Sequence, residues 1–135
     1  MRRRFFVALA LLLAGCWSGY ATRVSVHAEV LTLTAAKLVS LIEAGRPPAV
    51  ERMGEYVYPA KRARGFLQSY ASYGEYRSHR QLTELVTRYE ALVRRVDAVR
   101  AAQRDWSGEI DSLRAEGKAL HRLAAEIESS LEARS

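Results

Sequence analysis

The 135-residue sequence predicts an all-α protein, an antiparallel bundle of three to four helices that ends in one long heptad-patterned helix or in a helical hairpin. Three observations carry this expectation. Apolar residues recur at alternating steps of three and four from Leu82 to Leu131, the spacing that lines one face of a helix. All three prolines fall between positions 47 and 59, so the last 76 residues contain none; a helix interior tolerates proline poorly. Only Val24, Val26, Ala28 and Val30 alternate as a strand would, and a strand with nothing to pair with leaves its backbone groups unsatisfied. With 49% hydrophobic and 27% charged residues the chain is one domain's worth of material, neither disordered nor polytopic.

The first helix is expected over about residues 22–44. Val24, His27, Ala28, Leu31, Ala35, Leu38, Val39 and Ile42 keep helical spacing, and Gly45 with Pro47 and Pro48 then ends the segment. A second, weaker helix covers about 48–73, with Val50, Met53, Val57 and Ala60, then Phe66, Leu67 and Tyr70, and Pro59 should kink or break it. Residues 78–132 hold the clearest pattern. Ser78-His79-Arg80-Gln81 fits a capping box, a hydroxyl followed three residues later by a side-chain amide. The seam then runs Leu82, Leu85, Tyr89, Leu92, Val96, Val99, Gln103, Trp106, Ile110, Leu113, Gly117, Leu120, Ala124, Ile127 and Leu131, broken in character only at Gln103 and Gly117.

Two features disagree about Asp105-Trp106-Ser107-Gly108. The seam keeps its phase across them, which favours one straight helix of about 80 Å. The charges favour a turn: residues 78–104 carry six arginines and three acids, whereas 105–135 carry four basic residues and seven acids, and opposite halves attract when laid antiparallel. The unbroken phase tips the expectation toward the straight helix. Its distal seam would then need a second copy or a protein partner along 82–131.

The N-terminus follows another plan. MRRRFFVALALLLAGC is a positive stub, an apolar stretch and small residues before a cysteine, the layout of an export signal. The stretch from Phe5 to Gly15 makes about 16 Å of helix, roughly half a hydrocarbon core, which is short for a permanent span. Leu13-Ala14-Gly15-Cys16 resembles the lipobox of bacterial lipoproteins. That resemblance implies a signal peptide over 1–15, cleavage between Gly15 and Cys16, and a Cys16 carrying diacylglyceryl on sulfur and an acyl group on its amine. It implies a membrane partner through the lipid anchor and, because Trp17 and not aspartate follows the cysteine, an outer-membrane address facing the periplasm. Residues 16–22 are then expected as a short linker, with Trp17 and Tyr20 in the headgroup layer, ahead of one helical domain over 23–135. Cys16 is the only cysteine, so no internal disulfide forms. Removing the leader's three arginines lowers Lys plus Arg from 21 to 18 and the net charge from +6 to +3. The resemblance stops at the leader. The peptidoglycan-linked lipoproteins end in a crosslinking lysine, whereas this chain ends Glu132-Ala133-Arg134-Ser135.

Chemistry-bearing constellations are absent from the sequence. His27, His79 and His121 sit in no zinc, haem or di-iron spacing, and no nucleophile elbow or glycine-rich phosphate loop occurs. A non-enzyme with no cofactor and no metal is therefore expected. An exported location also disfavours nucleic acid.

Residues 46–80 hold seven basic residues against three acids, interleaved with Tyr56, Tyr58, Tyr70, Tyr73 and Tyr76. Lys61, Arg62, Arg64, Arg77 and Arg80 are the candidate ligands for an anionic lipid or glycan, since guanidinium groups pair with phosphates and carboxylates. The plainer reading is that the arginines form a solvated face while Phe66, Tyr70 and Tyr73 belong to the core. The leading functional expectation is a non-enzymatic envelope scaffold, assembly subunit or partner-binding lipoprotein. A binding module for anionic envelope polymers and a lipid-anchored regulator of an envelope enzyme are the alternatives.

Overall fold

A computed structural model describes the backbone of residues 2–133 and the side chains of residues 16–133; the leader's side chains and the C-terminal Arg134-Ser135 lie outside the described residues. Four helices pack against one another, α1 (Arg2–Glu43), α2 (Gly54–Ser69), α3 (Arg77–Ala101) and α4 (Ile110–Glu132). No strand occurs among the described residues. Helices α1 and α3 touch each other, and α2 and α4 each pack on both of them, so α1 and α3 form the shared centre of the bundle.

Helix α1 buries Tyr20, Val24, Ala28, Leu31, Ala35, Leu38, Val39 and Ile42. This is one stripe at steps of three and four. Val26, Val30 and Leu33 on the opposite side are exposed, which accounts for the misleading strand-like alternation. The span Cys16–Glu43 is long and apolar enough to cross a membrane by length and composition. Its buried stripe, however, faces the other three helices. The expected linker over 16–22 is not one: these residues continue α1, and Tyr20 is completely buried and not in a headgroup layer. The buried Thr32 satisfies its hydroxyl by donating to the Ala28 carbonyl one turn back at 2.8 Å.

Helix α1 stops where Gly45 adopts φ 73°. The amide of Gly45 donates to the Ile42 carbonyl and that of Arg46 to the Leu41 carbonyl, at 3.0 and 2.8 Å. These are the two bonds of a Schellman cap, which needs a left-handed residue at its centre. The connection that follows is tied down by Arg100, which donates to the Pro48 carbonyl from α3.

The second segment is shorter than expected and is not divided by its proline. A 3-10 turn covers Val50–Arg52, with Val50 68% exposed, and α2 then runs through Pro59 to Ser69. Proline deprives the Glu55 carbonyl of its usual donor. The loss falls in the second turn, and the buried Tyr89 hydroxyl donates to the next carbonyl along, that of Tyr56. Tyr56, Ala60, Ala63, Phe66 and Leu67 form the buried face. Val57, expected inside, is exposed.

No capping box starts α3. The helix begins at Arg77 after an extended Tyr76, and Ser78 is fully buried without capping the helix. Gln81 accepts a hydrogen bond from Ser130 of α4 at 2.7 Å, so its amide links two helices and does not reach back to its own N-terminus.

The straight-helix expectation also fails. Residues 102–109 turn the chain, and α3 and α4 pack as a hairpin. Gln103 takes φ 51° and its amide donates to the Arg100 carbonyl, while that of Arg104 donates to the Val99 carbonyl. This repeats the cap that ends α1, with glutamine in place of glycine. Asp105 then accepts from the Ser107 amide at 3.1 Å and from its hydroxyl at 2.7 Å, which starts the 3-10 turn Trp106–Gly108. Ser107 also holds the Asp105 carboxyl below its ordinary pKa, mainly through the hydroxyl bond and next through the amide.

Most of the seam residues from both arms close on the bundle's own core. Leu113, Leu120 and Ile127 are completely buried, and each such side chain contributes about 1.5–3 kcal/mol by leaving water. The premise for a partner along 82–131 is thereby removed. The charge expectation holds only at the turn, where Arg95 reaches Glu109 at 2.6 Å and Ser112 at 2.6 Å. Gly117, the seam's other exception, lies where α4 passes α1: a Cβ there would meet the Val39 side chain at 3.7 Å.

Candidate functional site at the aromatic end of the bundle

The first described turns of α1, the last turn of α2, the 3-10 turn Ala71–Tyr73 and the start of α3 meet at one end of the bundle. Their aromatic residues form one connected cluster around Tyr20. Its ring stacks on Tyr73 with centroids 4.2 Å apart and lies 5.6 to 5.9 Å from Trp17, Phe66 and Tyr70. Trp17 in turn packs on Tyr76 at 4.8 Å. Such ring pairs contribute about 0.5–1.5 kcal/mol beyond the area they bury. The cluster also grades outward: Tyr20 is sealed, Trp17, Tyr70 and Tyr73 are half-buried, and Tyr76 is 37% exposed.

A buried polar chain runs beneath the rings. The Tyr20 hydroxyl is 3.0 Å from Nδ1 of His79, and the Leu67 backbone is the histidine's other partner. A neutral ring satisfies the phenol contact, with Nδ1 accepting from the Tyr20 hydroxyl. Burial lowers the His79 pKa below its ordinary value, partly opposed by the Leu67 bond. Burial likewise raises the Tyr20 pKa, against the Ser78 hydroxyl beside it. Both groups are thus held uncharged.

Beside the cluster, α1 and α2 leave a cleft of about 450 Å³ lined by Thr22, Arg23, Val26, His27, Arg62, Phe66, Ser69 and Tyr70. Two arginines and a histidine face it, and no carboxylate lines it. Among the described residues, neither Arg23 nor Arg62 forms an ion pair. Arg23 lies over the Tyr70 ring at 5.7 Å and Arg62 over the Tyr58 ring at 5.9 Å, contacts that hold a guanidinium in place without neutralising it. His27 packs on Phe66 at 4.9 Å. Its pKa is lowered, first by burial and then by Arg62 and Arg23.

The structure disperses the five basic residues singled out in the sequence. Arg62 alone lines this cleft. Lys61 is exposed on the α2–α3 side. Arg64 is committed to Glu90, its Nε 3.0 Å from both carboxylate oxygens, with Thr87 at 3.2 Å. Arg80 donates to the Glu75 carbonyl at 2.7 Å, and Arg77 is exposed in the first turn of α3. Arg23 and His27 were missed because His27 reads as part of the apolar stripe of α1. Their spacing of four on one helix face was the available signal. Cys16 is exposed, one turn before Tyr20. Among the described residues no three His, Cys, Asp or Glu side chains converge as a metal site would require.

Comparison with protein-family models, with curated proteins and with solved structures finds no match for this chain, so its site is interpreted from its own residues.

Proposed function

We propose that this chain is a lipid-anchored, non-enzymatic protein of the bacterial cell envelope whose helical body is a scaffold or partner-binding surface held directly against a membrane. The observation that carries this reading is the absence of any spacer: Cys16, the residue matching the lipidation motif, belongs to the same helix as Tyr20, which is sealed in the core one turn later. Two or three acyl chains hold a protein on a bilayer durably, since each buried methylene contributes about 0.8 kcal/mol. The aromatic end of the bundle then faces the headgroups, where tryptophan and tyrosine are at home. The apolar leader helix supports export or anchoring, and the outer-membrane address rests on Trp17 at the position after the cysteine.

Mass spectrometry of the protein from its native host tests this. The expected product begins at Cys16 and carries diacylglyceryl and acyl masses that Cys16→Ser lacks. An unmodified thiol or an uncut leader would overturn it. Fractionation of inner and outer membranes checks the address.

A further inference from the structure

We infer that the cleft between α1 and α2 is a binding site for the phosphate of an anionic lipid headgroup, held by Arg23 and Arg62 with His27 at its wall. The inference rests on the membrane-anchored reading for the height of the cleft above the bilayer. Three features support it. First, the cleft is basic and locally unneutralised, with Arg23, His27 and Arg62 on its lining and no carboxylate. Guanidinium groups are five-donor forks suited to a phosphate's oxygens, and they accept this role best when no carboxylate holds them; Arg62 donates only to the Tyr58 hydroxyl. Second, Ser69 and Tyr70 add hydroxyls on the same lining, so an anion entering there meets neutral donors as well as charge. Third, Arg23 lies seven residues beyond Cys16 on a continuous helix, about 10 Å along its axis at 1.5 Å per residue. The polar zone of one leaflet is roughly 5–7 Å thick, so the Arg23 backbone stands just above that zone and its long side chain reaches down toward the phosphates, as basic side chains do at membrane interfaces.

His27 gives the site a pH response. The charged groups facing it are Arg23 from α1 and Arg62 from α2, both of which disfavour its protonation in the empty cleft. A bound phosphate reverses that field. Affinity therefore rises as pH falls through the His27 titration, and the bound histidine takes up a proton that the empty one does not.

The test uses the full chain in nonionic detergent, titrated by calorimetry with dihexanoyl phosphatidylglycerol, whose phosphodiester keeps one charge from pH 6 to pH 8, dihexanoyl phosphatidylcholine and inorganic phosphate. The His27 ring is followed in parallel by NMR. The phosphatidylglycerol is expected to bind, to move the His27 resonances and to bind more tightly at pH 6 than at pH 8, and phosphatidylcholine, which has no net charge, to bind at least tenfold more weakly. Arg23→Gln with Arg62→Gln should weaken it at least tenfold with an unchanged circular dichroism spectrum, while Arg77→Gln, outside the cleft, leaves it intact. Equal binding by the double variant, or an equal loss in Arg77→Gln, would reduce the effect to diffuse charge and overturn the site. Inorganic phosphate binding as tightly as the lipid would overturn the headgroup assignment. The same titration on Cys16→Ser gives the same result whether or not the cysteine is lipidated in the host, so the two readings fail separately.

Discussion

The two ends of this bundle are built on different chemistry. The hairpin end, beside the α3–α4 turn, is closed by aliphatic residues such as Leu113, Val96 and Val99, all completely buried and carrying no polar atoms that need partners. The opposite end is closed by Tyr20, its ring neighbours and the buried Tyr20–His79 pair, whose polar atoms answer each other. An aliphatic seam tolerates exchange of one hydrocarbon for another of similar volume, whereas a buried polar chain does not. The aromatic end should therefore be the less forgiving of the two, and it is the end that adjoins the basic cleft.

The sharpest way to break the comparison is truncation at matched positions. Tyr20→Ala is expected to cost about 4 kcal/mol and Leu113→Ala about 3 kcal/mol, by the usual cost of emptying a buried aromatic or leucine site, read from urea midpoints. Tyr20→Phe separates packing from polarity. It keeps the ring but strips His79 of a donor, and should still cost about 1–2 kcal/mol. A Tyr20→Phe variant as stable as the parent would show that the buried hydrogen bond contributes nothing.

Between pH 7.5 and pH 5, acid should act chiefly on the aromatic end. The folded pKa values of His79 and His27 lie below their ordinary value, in both cases chiefly through burial. The unfolded chain therefore binds these protons first, so stability is complete above about pH 6.5 and is lost as pH falls through the folded values. The urea midpoint is expected to drop between pH 7.5 and pH 5, a window above the ordinary carboxylate range. His79→Gln should flatten that slope while lowering stability at pH 7.5.

Smaller effects belong to the hairpin and to the surface. Gln103→Gly is expected to stabilise by about 1 kcal/mol, since glycine enters the left-handed region without the penalty that a Cβ imposes. The same change at the neighbouring Ala102, which is right-handed, should destabilise instead, and thermal denaturation distinguishes the pair. Smallest is the Arg64–Glu90 bridge. Glu90 holds the Arg64 pKa up, and Arg64 holds the Glu90 pKa down. The arginine side chain is nevertheless 40% exposed, so a double-mutant cycle should return about 0.5 kcal/mol and shrink in salt.

The same contrast explains what was legible in the sequence. The hairpin seam could be read almost residue by residue, because aliphatic spacing is a local signal and burial follows it. Its turn could not, because the left-handed position fell to Gln103 and not to a glycine, and because antiparallel arms sharing one core can keep a common phase across a loop. At the aromatic end, Phe66 and its tyrosine neighbours announced themselves at helical spacing, yet Ser78 and Gln81 looked like a cap while the fold buries the first and joins the second to Ser130. The basic residues were visible as a group only. Which of them remain uncommitted depends on Glu90 and the Glu75 carbonyl, partners fixed by tertiary packing, and the cleft's other arginine comes from a helix that begins before the basic stretch.

The spacer-free start of α1 also has a mechanical meaning. A flexible tail would let a body swivel and search a wide volume, but a core helix has no joint. Should Cys16 carry its acyl chains, the 28 residues from there to Glu43 become a rod of about 42 Å, at 1.5 Å per residue, and anything that engages the far hairpin does so at a set height and with a set side facing outward.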